Sequence, residues 1–218
     1  MKLHLFPLLL LCGSLTTADA MILKDDGVEF DTGGLGTVKL LWPGYAAGPG
    51  GKLLPAKIVE KGPERAVLRF AREGLPEITV SLKKDSSVRL EYGGGTAGTL
   101  HVRVIFPQRP GRGLGWKIPV QKTQFTPFPD APQQKHHIWT GEAAGIAVSD
   151  ENTRTVTVSW SPKSYCELQD NRKWNWPVNQ LDIFRPVPEK GKSSSLEIRF
   201  QSGPPETVSR RTGPVCDR

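Results

Sequence analysis

In 218 residues the chain has only three cysteines, two methionines and three tyrosines. Past residue 20 no apolar tract approaches eighteen residues. Each scarcity excludes something. No CxxC or HxxxH spacing occurs, and His101, His136 and His137 are too few and too badly spaced for a metal centre, so no metal and no cofactor are expected. Without a long apolar tract, insertion of a helix into a membrane is not expected either. A G-x-S-x-G elbow, an H-E-x-x-H helix, a P-loop and a dinucleotide fingerprint leading into a helix are all missing. No unit of 20–50 residues repeats, which argues against a solenoid or propeller. Lysine and arginine are scattered rather than blocked, so nucleic acid is not an expected partner.

The first twenty residues stand apart. Lys2 supplies a positive start, Leu3 to Cys12 an apolar stretch, and Ala18-Asp19-Ala20 a small-x-small cleavage signal. Together they read as a secretory signal peptide, too short to span a ~30 Å bilayer core. Leu11 before Cys12 is too large for a lipobox. The expected organisation is a signal peptide over 1–20, a β-sandwich domain over 21–203 and a polar tail over 204–218, in a secreted or periplasmic protein. The leader holds one cation and one acid, so the formal charge of +7 is unchanged by its removal. That balance suits anionic glycans or surfaces. Two cysteines remain, Cys166 and Cys216, and an oxidising compartment predicts a disulfide between them. Its loop of about 50 residues would be worth about 4 kcal/mol in chain-entropy arithmetic.

The body reads as strand after strand. Glu77 to Lys83 alternates strictly, with Ile78, Val80 and Leu82 on one face. Ser87 to Tyr92, Leu100 to Phe106, Thr155 to Trp160 and Leu196 to Phe200 repeat the pattern. Period-two alternation marks strands with one buried and one wet face. Turn signals such as Lys61-Gly62-Pro63 and Gly93-Gly94-Gly95 separate them, and Gly33 to Gly36 reads as a hairpin turn. No dozen residues sustain an amphipathic helical face, and 23 glycines and 19 prolines interrupt the chain. The prediction is an all-β, antiparallel sandwich, either a jelly roll or a galactose-mutarotase-like sandwich, with few or no helices. Two long irregular stretches, 43–53 and 107–134, break the rhythm; the second, with Trp116 and Phe125, is expected to fold over the sandwich as a lid.

Chemistry concentrates in residues 165–176. Gln169, Asp170, Asn171, Arg172 and Lys173 form an unbroken polar run, with Tyr165 before it and Trp174 and Trp176 after it. A sugar offers hydroxyls at its edges and a C–H-rich face, so it suits planar donors and acceptors beside flat rings. Pro177 closes the run, which is expected where a strand passes into a loop. Substrate-binding candidates are Trp174, Trp176, Gln169, Trp116 and His136. β-Elimination on a uronate would need a cation or amide to neutralise the carboxylate, and a base and an acid to move protons. Arg172 and Asn171 are the candidate neutralisers, Tyr165 and His137 the candidate base and acid. Alternation would send the rings of His136 and His137 to opposite faces. Asp170 and Asp182 are the best carboxylate pair for glycoside hydrolysis, which needs two across a cleft at about 5–9 Å.

Tyr165 with Leu168 to Trp176, after the alternating Val156, Val158 and Trp160, resembles a segment of secreted β-sandwich proteins from polysaccharide-degrading bacteria. Phe128-Pro129 and Trp139-Thr140-Gly141-Glu142-Ala143 belong to the same pattern. Those proteins are related to, or occur beside, polysaccharide lyases, so the resemblance implies carbohydrate contact. The R-[ST]-E-L, Q-I-H and Y-F-K-x-G blocks of jelly-roll alginate lyases are absent. The expected function is a carbohydrate-binding or accessory module for an acidic polysaccharide. Alternatives are a lyase acting on a uronate polymer and a structural or adhesion domain without a glycan site. A binding module predicts Trp174, Trp176 and Trp116 exposed. A lyase predicts Tyr or His beside Arg or Asn in a groove. A structural domain predicts the tryptophans buried.

Overall fold

The computed structural model describes residues 21–48, 51–107, 114–122, 124–132 and 134–208. The alternating segments become strands. β1 (Met21–Leu23), β2 (Gly27–Asp31) and β3 (Thr37–Ala46) open the chain; β4 (Leu54–Pro55) pairs with the end of β3. β5 (Lys57–Lys61), β6 (Arg65–Arg69), β7 (Ile78–Lys83) and β8 (Ser87–Gly93) form a meander. β9 (Thr99–Pro107), β10 (Leu114–Lys117) and β11 (Thr126–Pro127) follow. Two long strands, β12 (His137–Asp150) and β13 (Arg154–Asp170), lead to β14 (Val178–Pro186) and β15 (Ser193–Gly203). Among the described residues the only helical turns are short 3-10 segments, Gly33–Leu35 and Asn171–Trp174. No helix among them is long and apolar enough to cross a membrane.

The protein is all-β and antiparallel in every strand pairing. One sheet runs in the order β1-β2-β3-β9-β14-β13-β15-β8-β7-β6-β5 and curls into a half-barrel. The curl makes two facing halves, and β13 belongs to both. Its first half, Thr155 to Ser161, pairs with β15; its second, Cys166 to Asp170, pairs with β14. A cis Ser161-Pro162 bond lies between them. Across the gap the Phe30 and Phe200 rings stack at 5.3 Å, and Lys61 Nζ reaches Asp25 Oδ1 at 2.6 Å to tie the sheet's ends together.

The buried face carries the apolar members of each alternation: Leu100, Val102, Val104 and Phe106 on β9, Leu181 and Ile183 on β14, Cys166 and Leu168 on β13. Leu196, Ile198 and Phe200 share that face on β15. Truncating such a side chain to alanine costs about 2–5 kcal/mol, because transfer and cavity costs add. Gly33 to Gly36 does connect the antiparallel β2 and β3, through one 3-10 turn.

Several expectations are corrected here. Residues 114–132 do not form a lid. Trp116 and Ile118 are buried in the main core, and Phe125 packs with Ala147 and Val208. Trp116 therefore offers no exposed platform; β10 pairs with β12, which turns its ring inward. Val208, in the stretch expected as a polar tail, is buried. Cys166 is a free, fully buried cysteine whose Sγ donates to Ser164 O at 3.2 Å. Burial pushes its thiol up to about 12. Its expected disulfide partner Cys216, like the 1–20 leader and most of the 204–218 tail, lies outside the described residues.

Candidate functional site

Because Cys166 and Leu168 point into the core, Tyr165, Glu167 and Gln169 point out. The same alternation turns His101, Arg103 and Ile105 on β9 and Gln180, Asp182 and Phe184 on β14 to the outer face, where Ile105, Gln180 and Asp182 are nevertheless buried by their neighbours. Register then places them side by side. Arg103 faces Asp182, and Asp182 faces Glu167. One step along, Ile105 faces Gln180, Gln180 faces Gln169, and Gln169 faces His137. One step the other way, His101 meets the edge of Phe184 at 4.6 Å between ring centres, and Phe184 lies 5.7 Å from Tyr165. An aromatic row, an ionic row and an amide row thus cross the outer face in parallel.

Hydrogen bonds lock the two polar rows. Gln169 Nε2 donates to both Glu167 Oε2 (3.2 Å) and Asp182 Oδ2 (3.1 Å). Gln180 Nε2 donates to the same Asp182 Oδ2 at 2.8 Å, and Asn171 Nδ2 holds Gln180 Oε1 at 2.9 Å. His137 Nε2 sits 3.2 Å from Glu167 Oε2. Asp182 is only 5% exposed, and its Oδ1 has no partner; nor has the buried Nε of Arg103. Burial pushes the Asp182 carboxyl up to about 6; Gln180, Arg103 and His137 oppose that rise, while Glu167 adds to it. Burial also lowers His101, and Arg103 lowers it further. His136 is lowered by burial first, then by His137 and Lys173.

The run that the sequence singled out divides between this face and the turn beyond it. Asp170 is buried and caps the 3-10 turn, its Oδ1 accepting from Arg172 N at 3.0 Å. Arg172 curls back onto it, with Nε at 3.0 Å from Oδ1 and Nη2 at 2.6 Å from Oδ2. The remaining donors reach the Asp130 carbonyl at 2.8 Å and the Pro129 carbonyl. Arg172 is thereby a clamp between the turn and residues 129–130. Asn171 is buried beneath Gln180. Tyr165 (46% exposed), Trp174 (54%) and Trp176 (39%) lie open to solvent. Trp174 meets His136 edge-on at 4.7 Å, and His136 lies 3.9 Å from His137, so the two histidine rings sit together instead of on opposite faces. His136 precedes β12, which begins at His137, so strand alternation does not govern the pair. Asp170 and Asp182 are on opposite faces of the sheet, and the carboxylate beside Asp182 is Glu167. Among the described residues, no three His, Cys, Asp or Glu side chains are grouped to hold a metal ion.

His101, Arg103, Glu167, Gln180 and Phe184 went unmarked in the sequence. Their signal was present as polar or aromatic residues at the wet positions of alternating strands. Nothing local says that β9 lies against β14, so nothing local collects them.

No protein-family model and no curated protein matches the chain. A solved structure, "Crystal Structure Analysis of HI1317", is similar at 11% identity over 86% of this chain and 97% of that one, with a TM-score of 0.40.

Proposed function

We propose that this chain is an exported polysaccharide-engaging protein that binds glycan on the outer face of β12, β13, β14 and β9. The observation that carries the reading is one row of rings, His101–Phe184–Tyr165, lying beside rows of fixed carboxylates and amides. Rings of this kind accept the C–H face of a sugar, and oriented oxygens and amides take its hydroxyls. Trp174 with His136 extends the aromatic surface past the end of β13. Export rests on the pattern of residues 1–20.

The geometry favours a binding module over a lyase. Arg172 and Asn171, the candidate neutralisers of a uronate, are committed to Asp170, the 129–130 carbonyls and Gln180. It also favours neutral over acidic glycans, because Glu167 and Asp182 would repel an incoming carboxylate. Affinity gels with neutral xylan, galactomannan and β-glucan, and with acidic alginate and polygalacturonate, test the reading. The expected result is retardation by a neutral polymer, weakened about tenfold in Tyr165→Ala, the equivalent of about 1.4 kcal/mol. Retardation by none of them, or equal retardation of wild type and Tyr165→Ala, defeats it.

A further inference from the structure

Burial decides which part of the outer face a ligand can touch. On β9 and β14 the middle of the face is closed, with Ile105, Gln180 and Asp182 at 8%, 7% and 5% exposure. The open groups instead line up along β13 and its neighbour β12. Tyr165, 46% exposed, begins the line, and Phe184 and His101 widen its platform sideways. Next come Glu167 with its register partner Thr140, then His137, the partner of Gln169. Thr140 is exposed, and the side chains of Glu167 and His137 are 22% and 39% exposed. Glu167 Oε2 serves Gln169 and His137, while its Oε1 has no partner among the described residues and is not a buried atom. At the far end Trp174, 54% exposed, and His136 make a second aromatic platform, with ring centres 4.7 Å apart.

The two platforms are held at a fixed spacing. Trp174 belongs to the 3-10 turn that Asp170 caps, and Arg172 ties this turn to residues 129–130. From Tyr165 to Asp170 the strand alone advances about 17 Å. A disaccharide is too short to touch both platforms, and a hexasaccharide is long enough. Resting on the glycan reading, we infer that the site takes a linear, neutral oligosaccharide laid along β13, stacked on Tyr165 at one end and on Trp174 at the other. Each ring accepts the C–H face of one sugar unit. Between them Glu167, Thr140 and His137 offer a carboxylate, a hydroxyl and an imidazole to the hydroxyls of the intervening units. A chain laid across the strands would leave Trp174 untouched. Once one platform is occupied, the second contact is made within the same complex, so affinity climbs when the ligand becomes long enough to reach both.

The test uses the full mature chain. Calorimetry compares each disaccharide with its hexasaccharide in the cello, xylo, manno and malto series. The proteins are wild type, Tyr165→Ala, Trp174→Ala and Tyr165→Phe, with thermal melting to confirm folding. The expected result is a hexasaccharide that binds wild type at least about tenfold tighter than its disaccharide. Each alanine substitution should bring the hexasaccharide down to the affinity of the disaccharide. Tyr165→Phe keeps the ring and should keep the length effect. A hexasaccharide no tighter than its disaccharide removes the track and leaves the glycan reading standing. So does a hexasaccharide weakened by Tyr165→Ala but unchanged by Trp174→Ala. If neither length of any series binds wild type and no polymer retards it in gels, both fall.

Discussion

The two outer faces of this sheet treat charge in opposite ways. On the meander half, arginines pair with carboxylates in open water: Arg65 with Glu60 at 3.0 Å, Arg69 with Glu77 at 2.6 Å, Arg89 with Glu91 at 3.0 Å. On the β9–β14–β13 half, a carboxylate is sunk to 5% exposure with one oxygen unmatched, beside an arginine nitrogen that is also unmatched. Space alone does not separate them. The meander face has an open groove of about 570 Å³ next to Arg89, Glu91 and Tyr92, and there the ionic groups already satisfy each other. The difference is burial: a carboxylate taken out of water costs stability that the exposed pairs of the meander do not.

That contrast can be broken by mutation, starting where the effect is greatest. Arg172→Ala should destabilise by about 3–5 kcal/mol, because it strands the buried Asp170 carboxylate. Urea unfolding would show it, and a loss below about 1 kcal/mol would mean that Arg172 is not the clamp described. Asp182→Asn should act in the opposite direction. The folded Asp182 carboxyl titrates near 6, above its ordinary 3.8. Its contribution to stability is therefore complete below about pH 4 and disappears as pH rises through about 6. Asparagine removes that loss, so the variant should gain about 2–3 kcal/mol over wild type at pH 8 and little at pH 3.5. Denaturant midpoints at both pH values decide the matter; a variant less stable at pH 8 would contradict the assignment of a strained carboxylate.

Smaller effects sharpen the other side. A double-mutant cycle on Arg69 and Glu77 should give a coupling of about 0.2–1 kcal/mol that shrinks in molar salt, as exposed pairs do. Trp174→Ala, at an exposed ring, should change stability by less than about 0.5 kcal/mol while weakening glycan binding. A large drop in melting temperature would make Trp174 a packing residue instead.

Much of the fold was legible because period-two alternation is a local signal. Ile78, Val80 and Leu82, or Leu196, Ile198 and Phe200, declare their buried face within a few residues. The exposed rings of Tyr165, Trp174 and Trp176 also lie in a stretch that composition alone singles out. What could not be read was partnership. Arg172 looked like a free cation, yet the carboxylate two residues earlier turns inward and takes it along. Trp116 looked like a platform, but its place depends on β10 pairing with β12. Arg103 and Asp182 each look like ordinary wet-face residues until long-range register sets them opposite one another.

That register also sets when the site can come into being. Strands β12, β13 and β14 follow one another and close by short connections, so the carboxylates and amides can gather early in folding. β9 joins them only by pairing with β14 from far upstream, and such distant closures are slow. Arg103 is accordingly a late arrival. A fragment that begins after β9 would hold Glu167, Gln169 and Asp182 with no cation among them. In pulse-labelled hydrogen exchange during refolding, the amides of β13 should gain protection before those of β9. The three rows of the outer face therefore need β9, and no piece that begins after it assembles them all.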